Sequence, residues 1–255
     1  MVKGAVINLT GNETGVTVNG IVAAVYGTRF IANNVPLTEG SNTITVTATD
    51  TVSSPATSSI TVNAVTTGNY IKLSSNIDSG IAPLELTLKI DASFSIDNSS
   101  INITGPSEAE FLPSSNDEYK VKIKAEGIYY VTASVTGPDS IVYQDTIAIT
   151  VLNKDQLNIM LKGKWDGMKG ALENQDVEGA VALFLSSSQE RYRDIFSAIT
   201  DQLPGIAANM NAIEIIYAEE GIAQYRIKRT EDVGEVTYYI YFAIDENGLW
   251  KIQQF

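Results

Sequence analysis

The stretch Asp145-Thr146-Ile147-Ala148-Ile149-Thr150-Val151-Leu152-Asn153-Lys154-Asp155-Gln156-Leu157-Asn158-Ile159-Met160-Leu161 decides the fold, because the hydrophobic period changes inside it. Up to Val151 the run is β-branched and short, as strands are. Beyond Asn153, Leu157, Met160, Leu161, Trp165, Met168 and Leu172 recur at steps of three and four, which makes one apolar stripe along a helix. Before this point the chain is a series of Thr/Val/Ser-rich segments divided by turn residues. After it come further helix-period segments and then four strand patterns. The expected architecture is multidomain, with two antiparallel Ig-like β-sandwiches (residues 1–66 and 67–153) followed by an α+β cone (154–255) that carries a four-stranded antiparallel meander.

In the first segment, Thr43-Ile44-Thr45-Val46-Thr47-Ala48-Thr49-Asp50 alternates strictly, so Ile44, Val46 and Ala48 share one face. Asn19-Gly20, between Val16–Val18 and Ile21–Val25, has the chemistry of a type I′ hairpin turn. Five or six short strands at this spacing predict a sandwich. A polar linker at Thr66-Thr67-Gly68-Asn69 leads to a second set of strands at 84–90, 101–103, 119–123, 127–135 and 145–151. Gly80–Pro83, Pro113–Asp117 and Gly137–Ser140 are turn clusters between them.

In the third segment, Asp176 is placed as an N-cap for the run from Val177, and Ser188 as a cap for a helix through Tyr192 and Phe196. Strands are expected at 212–219, 222–230, 236–244 and 249–255, joined by Glu220-Gly221, Asp232-Val233-Gly234 and Asp245–Gly248.

Composition removes whole classes of chemistry. The 255 residues contain no cysteine and no histidine. Disulfides, the usual zinc sites and His-dependent nucleophilic triads are therefore outside the chain's means. The net charge is −13, and no segment is basic: residues 1–66 hold 2 basic and 3 acidic side chains, 67–153 hold 5 and 11, and 154–255 hold 10 and 16. Nucleic acid and anionic membrane surfaces are not expected partners. No run approaches the ~18 apolar residues of a membrane span, so no membrane insertion is expected. No signal peptide precedes the first strand pattern, and the chain reads as an excised piece of a longer secreted or cell-surface protein.

Residues 5–64, through Val16-Thr17-Val18-Asn19-Gly20-Ile21-Val22-Ala23 and Glu39–Asp50, resemble the glucodextranase domain-B-like Ig-type module. Residues 67–153 resemble a PKD-type sandwich, through Gly80-Ile81-Ala82-Pro83-Leu84 and Gly127-Ile128-Tyr129-Tyr130-Val131-Thr132; that family's Trp-x-Phe-Gly-Asp-Gly signature is missing. Residues 154–255 resemble the ketosteroid-isomerase-like (nuclear-transport-factor-like) cone. The matching residues there are Trp165, Met168, Ala171-Leu172, Asp176-Val177-Glu178, Ala180 and the ending Asp245-x-Asn247-Gly248-Leu249-Trp250-Lys251-Ile252. The last resemblance implies a concave interior and, in some members, dimerisation through the open sheet face. The superfamily includes both enzymes and proteins without chemistry, so the fold alone assigns no activity.

If a ligand enters such a cone, Trp165, Tyr192, Tyr225, Tyr239 and Tyr241 are the candidate binding residues, accompanied by Tyr217, Glu214 and Arg226. Core packing explains the same aromatics without any ligand. With no histidine to shuttle protons near neutral pH, no catalytic residue is assigned and the chain is read as a non-enzyme. Asp50, Asp78, Asp97, Asp139 and Asp145 lie near sandwich ends, where a structural calcium would be held. No Asp-x-Asp-x-Asp-Gly run accompanies them, and no other cofactor or metal is expected. The sequons at Asn8, Asn12, Asn98 and Asn102 arise readily in an Asn/Thr-rich chain. The expected role is adhesion, spacing or ligand display at a cell surface, toward a surface protein or glycan. The alternative is a small-molecule or glycan-binding cone, with or without catalysis, in an envelope protein that processes polysaccharide or lipid.

Overall fold

The structure, a computed structural model, describes residues 1–52, 54–114, 118–231 and 234–255, with only the backbone of 230 and 231. Two turn expectations, at Pro113–Asp117 and Asp232–Gly234, therefore fall partly outside the described residues. Contacts divide the chain into one unit of Met1–Asn153 with Glu246–Leu249, and another of Lys154–Asp245 with Trp250–Phe255.

The first sandwich packs two sheets. One contains β2 (Thr14–Val18), β3 (Ile21–Val22), β6 (Gly40–Asp50) and β7 (Ala56–Ala64), in the order β3-β2-β6-β7; the other is β1-β5-β4, built from β1 (Val2–Ala5), β4 (Ala24–Tyr26) and β5 (Arg29–Ala32). Val16, Val18, Phe30, Ala32 and Ile44 are buried between them. Gly4 sits opposite Phe30, and a Cβ there would lie 2.5 Å from the ring, so only glycine lets β1 lie on β5. Asn19 and Gly20 both have positive φ (48° and 82°), as a type I′ turn requires. Ile21–Val25, expected as one strand, is two. The chain crosses between sheets at Ala23, whose N–H donates to Val16 O at 2.8 Å.

The second sandwich sets β12-β13-β10-β8 against β11-β14-β15-β9. The first of these sheets is built from β8 (Ile71–Ser75), β10 (Leu84–Ala92), β12 (Glu110–Leu112) and β13 (Tyr119–Ile123). The second is built from β9 (Ser79–Ile81), β11 (Ser99–Thr104), β14 (Gly127–Thr136) and β15 (Val142–Leu152). Along β14 the burial alternates without a break, so Tyr129, Val131, Ala133 and Val135 line the core. The Tyr129 hydroxyl donates to Ala125 O at 3.0 Å, four residues upstream, which satisfies its polar end at the core edge. β8, β9 and β12 were not among the strands expected from the sequence. β9 also takes in Gly80 and Ile81, the first half of the Gly80–Pro83 stretch that reads as a turn; it pairs in parallel with β15 (Val151 opposite Gly80).

The second unit begins with α1 (Lys154–Glu173), which buries Leu157, Leu161, Trp165, Met168 and Leu172. These are five of the six stripe residues; Met160 is half-buried. Gln175 closes the helix in the left-handed region (φ 57°). Its N–H donates to Leu172 O (3.0 Å) and that of Asp176 to Ala171 O (2.8 Å), the double bond of a Schellman ending. Asp176 then caps α2 (Val177–Val181) by accepting from Gly179 N at 2.9 Å. α3 (Ser186–Ala198) starts two residues before the expected cap; Ser188 Oγ instead donates to Gln253 O at 2.7 Å. A 3₁₀ turn (Thr200–Gln202) and α4 (Leu203–Ala208) complete the helical part. The strands β16 (Glu214–Glu219), β17 (Ile222–Glu231), β18 (Gly234–Ile244) and β19 (Trp250–Gln254) form an antiparallel meander in chain order.

Candidate functional site

The sequence places its candidate ligand-binding residues in the α+β unit, and the strand register there separates them into two groups. Tyr225 lies opposite Ile240, with Ala223 opposite Phe242, and these four are all buried. Arg226 lies opposite Tyr239 and Gln224 opposite Tyr241, so Tyr239 and Tyr241 belong to the other face. Trp165, Tyr192 and Tyr225 thus share the interior between helices and sheet, and Tyr239 and Tyr241 do not join them.

Rings pack against one another in the interior. Phe184 lies 4.2 Å from Tyr192 and 6.0 Å from Phe196, centroid to centroid. Tyr192 stacks on Phe255 at 5.3 Å, and Trp165 meets Phe255 edge-on at 5.2 Å. Tyr225 contacts Phe242 edge-on at 5.3 Å. Trp165, Phe184, Tyr192, Phe196, Tyr225 and Phe242 are all buried, as is Trp250. Rings at these spacings add roughly 0.5–1.5 kcal/mol per pair beyond the burial itself.

The polar ends inside this cluster are bonded to the protein. The Tyr192 hydroxyl donates to Phe255 O at 3.0 Å and accepts from Phe255 N at 2.9 Å. The Trp165 indole N–H points to Asn211 O at 3.4 Å. The Tyr225 hydroxyl donates to Asn158 Oδ1 at 3.2 Å, and burial pushes its pKa well above the ordinary tyrosine range. A phenol shifted that way holds its proton at neutral pH and does not act as a base. The helical wall is fastened by Arg193 on Glu178, with Nε and Nη2 at 2.7 and 3.0 Å.

The opposite sheet face presents Tyr217, Gln224, Arg226, Tyr239 and Tyr241. Gln224 Nε2 donates to Tyr241 Oη at 2.7 Å, and Arg226 Nε to Glu214 Oε2 at 3.0 Å. Tyr239 is 50% exposed and Tyr217 37%. Flat rings beside bonded amide and guanidinium groups suit stacking on a sugar or a peptide side chain.

Two features of the sandwiches went unread in the sequence. Asn33 reaches from the first sandwich to the second, with Nδ2 donating to Ala148 O at 2.7 Å and Oδ1 accepting from Ala148 N at 3.0 Å. Lys3 Nζ lies 4.7 Å above the Tyr130 ring at the same junction. The other is an open groove of about 280 Å³ in the first sandwich, lined among others by Val6, Asn8, Leu9, Ala48, Asp50 and Ala56. No sequence periodicity marks either one.

Three of the five aspartates weighed for calcium accept local hydrogen bonds. Asp145 accepts from Leu73 N (2.8 Å) and Thr146 N (2.8 Å), and Asp50 from Val52 N (2.9 Å). Asp139 accepts from the Tyr143 hydroxyl (2.7 Å) and Ile141 N (3.1 Å), which holds its carboxyl below the usual range. Among the described residues no three Asp, Glu, His or Cys side chains converge as a metal cluster. No helix among them is long and apolar enough to cross a membrane.

No protein-family profile matches the chain, and no curated protein matches it significantly. Among solved structures it is similar to the extracellular cadherin domains 1–4 of protocadherin gamma B7, at 16% identity and a TM-score of 0.26, over 55% of this chain and 40% of that one. It is similar also to the fibronectin(III)-like modules of Clostridium thermocellum CbhA (14%, TM-score 0.23, 54% and 76%). A third is the human desmocollin-1 ectodomain (9%, TM-score 0.21, 56% and 30%). The chain spans less than half the length of the protocadherin it matches. At these TM-scores the likenesses carry no argument, and the assignment of β-sandwiches joined to an α+β unit rests on the strand pairing above.

Proposed function

We propose that the chain is a non-catalytic part of a secreted or cell-surface protein, in which two β-sandwiches display an α+β cone for adhesion or ligand capture. The observation that supports this reading above others is the ring packing of the interior. Trp165, Phe184, Tyr192, Phe196, Tyr225 and Phe242 are buried against one another, and their polar atoms are bonded internally. An enzyme of this shape needs an open interior with a group of tuned pKa facing the substrate. Here Tyr225, strongly shifted among the described residues, is moved away from neutrality.

Capture is then a task for the surface. The partner is a surface protein or a glycan, and it meets the sheet face that carries Tyr217, Tyr239 and Tyr241. The test uses the full chain in two assays. A thermal-shift screen against lipid-like and steroid-like small molecules is expected to show no saturable rise in Tm. A glycan array and a panel of surface-protein ectodomains are expected to show binding that Tyr239→Ala removes without lowering Tm. A saturable small-molecule shift abolished by Tyr225→Phe would overturn this reading and restore the interior as a ligand site.

A further inference from the structure

Sheet edges in this protein are mostly closed by something other than a strand. Where no strand reaches Ala148 on the outer side of β15, Asn33 takes up both its N–H and its C=O. At β8, the Asp145 carboxylate takes the N–H of Leu73. At β19, the backbone of Leu183 and Leu185 bonds Ile252. β3, β4 and β12 are two or three residues long, too short to template a partner. β11 carries no such closure, but its apolar residues Ile101 and Ile103 are packed against the core.

β7 differs from all of these. It runs nine residues, Ala56-Thr57-Ser58-Ser59-Ile60-Thr61-Val62-Asn63-Ala64, pairs with β6 in one unbroken register, and has no further strand beside it among the described residues. It contains no charge, no proline and no bulge, the devices that normally blunt an edge. Its inward-facing side is covered at one end only: Val62 is half-buried against the core, and the residues from Ala56 to Ile60 are exposed. Ile60 lies opposite Ile44, which is buried, yet Ile60 is itself 60% exposed. The cover over Ile44 therefore reaches Val62 but leaves Ile60 open, and the groove lined by Ala48 and Ala56 opens on the same side.

We propose that β7 is a homotypic docking edge, which pairs antiparallel with β7 of a second copy of this chain across a two-fold axis at Ile60. The strand is self-complementary about that residue. Ser59 meets Thr61, Ser58 meets Val62, Thr57 meets Asn63 and Ala56 meets Ala64, so every pair is apolar or neutral. Ile60 meets its own counterpart, and each covers the other's exposed inner face. Isologous pairing closes as a dimer and leaves no further β7 edge to propagate. Charge points to the same occupant. Residues 1–66 hold 2 basic and 3 acidic side chains within a chain of net charge −13, so this is the module where two copies repel least.

The register gives the test. The chain has no cysteine, so Ile60→Cys introduces a single thiol. Residues directly opposite in an antiparallel pair have Cα atoms ~4.5–5.5 Å apart, within the span of a disulfide. Under an added mild oxidant, full-length Ile60→Cys is expected to give a covalent dimer, whereas Thr57→Cys, which faces Asn63 in this register, gives little. Sedimentation velocity of the unmodified chain is expected to show a concentration-dependent dimer. Ile60→Lys should raise its Kd at least ~10-fold with Tm unchanged, and Tyr239→Lys should leave it in place. A chain monomeric at every concentration overturns the proposal. So does a dimer that survives Ile60→Lys, or one that Tyr239→Lys dissolves, which would place the contact on the other sheet.

Discussion

Asn33 and Ala148 are joined by two hydrogen bonds, 2.7 and 3.0 Å long, between one side-chain amide and one backbone peptide. Only an amide offers a donor and an acceptor at that spacing. Asn33→Ala leaves a partly buried N–H and C=O without partners, a loss of about 1–3 kcal/mol. Asn33→Asp keeps the acceptor but sets a carboxylate oxygen against the Ala148 carbonyl, so it should cost at least as much as alanine. Urea midpoints of the two variants check the order; an aspartate variant as stable as the parent would show that the contact holds nothing.

The ring cluster of the second unit should be intolerant of truncation. Phe184→Ala removes a buried ring that touches Tyr192, Phe196 and Phe255, and should cost about 3–5 kcal/mol. Tyr192→Phe keeps the ring and removes only the hydroxyl that bonds both the N–H and the carbonyl oxygen of Phe255. That smaller change should cost about 1–2 kcal/mol. Guanidinium titrations of both variants read the difference directly, and equal losses would mean the hydroxyl carries more than its two bonds.

Asp176 both ends one helix and starts the next. Asp176→Ala removes the bond from Gly179 N, so the start of α2 should weaken by about 1 kcal/mol. Gly179→Ala is the sharper change, because an added Cβ would run into the Asp176 carboxylate. Circular dichroism melts should rank Gly179→Ala as no more stable than Asp176→Ala; a stabilised Gly179→Ala would mean the cap tolerates displacement.

Acid should loosen both units. Bonds from Thr66 hold the Glu39 carboxyl below the usual range, with Thr66 N at 2.6 Å, and Arg193 does the same for Glu178. Each glutamate binds its proton less readily folded than unfolded. Its contribution is therefore complete above the ordinary glutamate pKa of about 4.3 and fades as pH falls through the lowered folded value. Both groups are exposed, so the effect is small at each. Glu39→Gln and Glu178→Gln should each flatten the decline of Tm below about pH 4. An unaltered slope in both would mean that other carboxylates set the acid limit.

The sequence was most legible where one period persisted. Trp165, Met168 and Leu172 fell on the buried side of α1 as their spacing required, and strict alternation placed Ile44 in the first core. Turn chemistry served equally well at Asn19-Gly20 and Asp176, since a positive φ or a cap bond is a local demand. What stayed hidden was decided between elements. Ile21–Val25 carries no mark of the switch at Ala23, because both halves are apolar and only the second sheet pulls them apart. Tyr225, Tyr239 and Tyr241 look alike as letters, and only the pairing of Arg226 with Tyr239 separates inner ring from outer. Asn33 is one asparagine among many; its role depends on Ala148, 115 residues away.

That long-range bond also redraws the natural joint of the chain. By composition the first two modules part at the polar linker 66–69, but the Ala148 peptide of the second is completed by a residue of the first. A fragment cut at the linker would carry a bare peptide group at its flank. The Asn33–Ala148 pair is kept whole only in a piece that holds both modules, so the segments that read as separate in composition are not separate in hydrogen bonding.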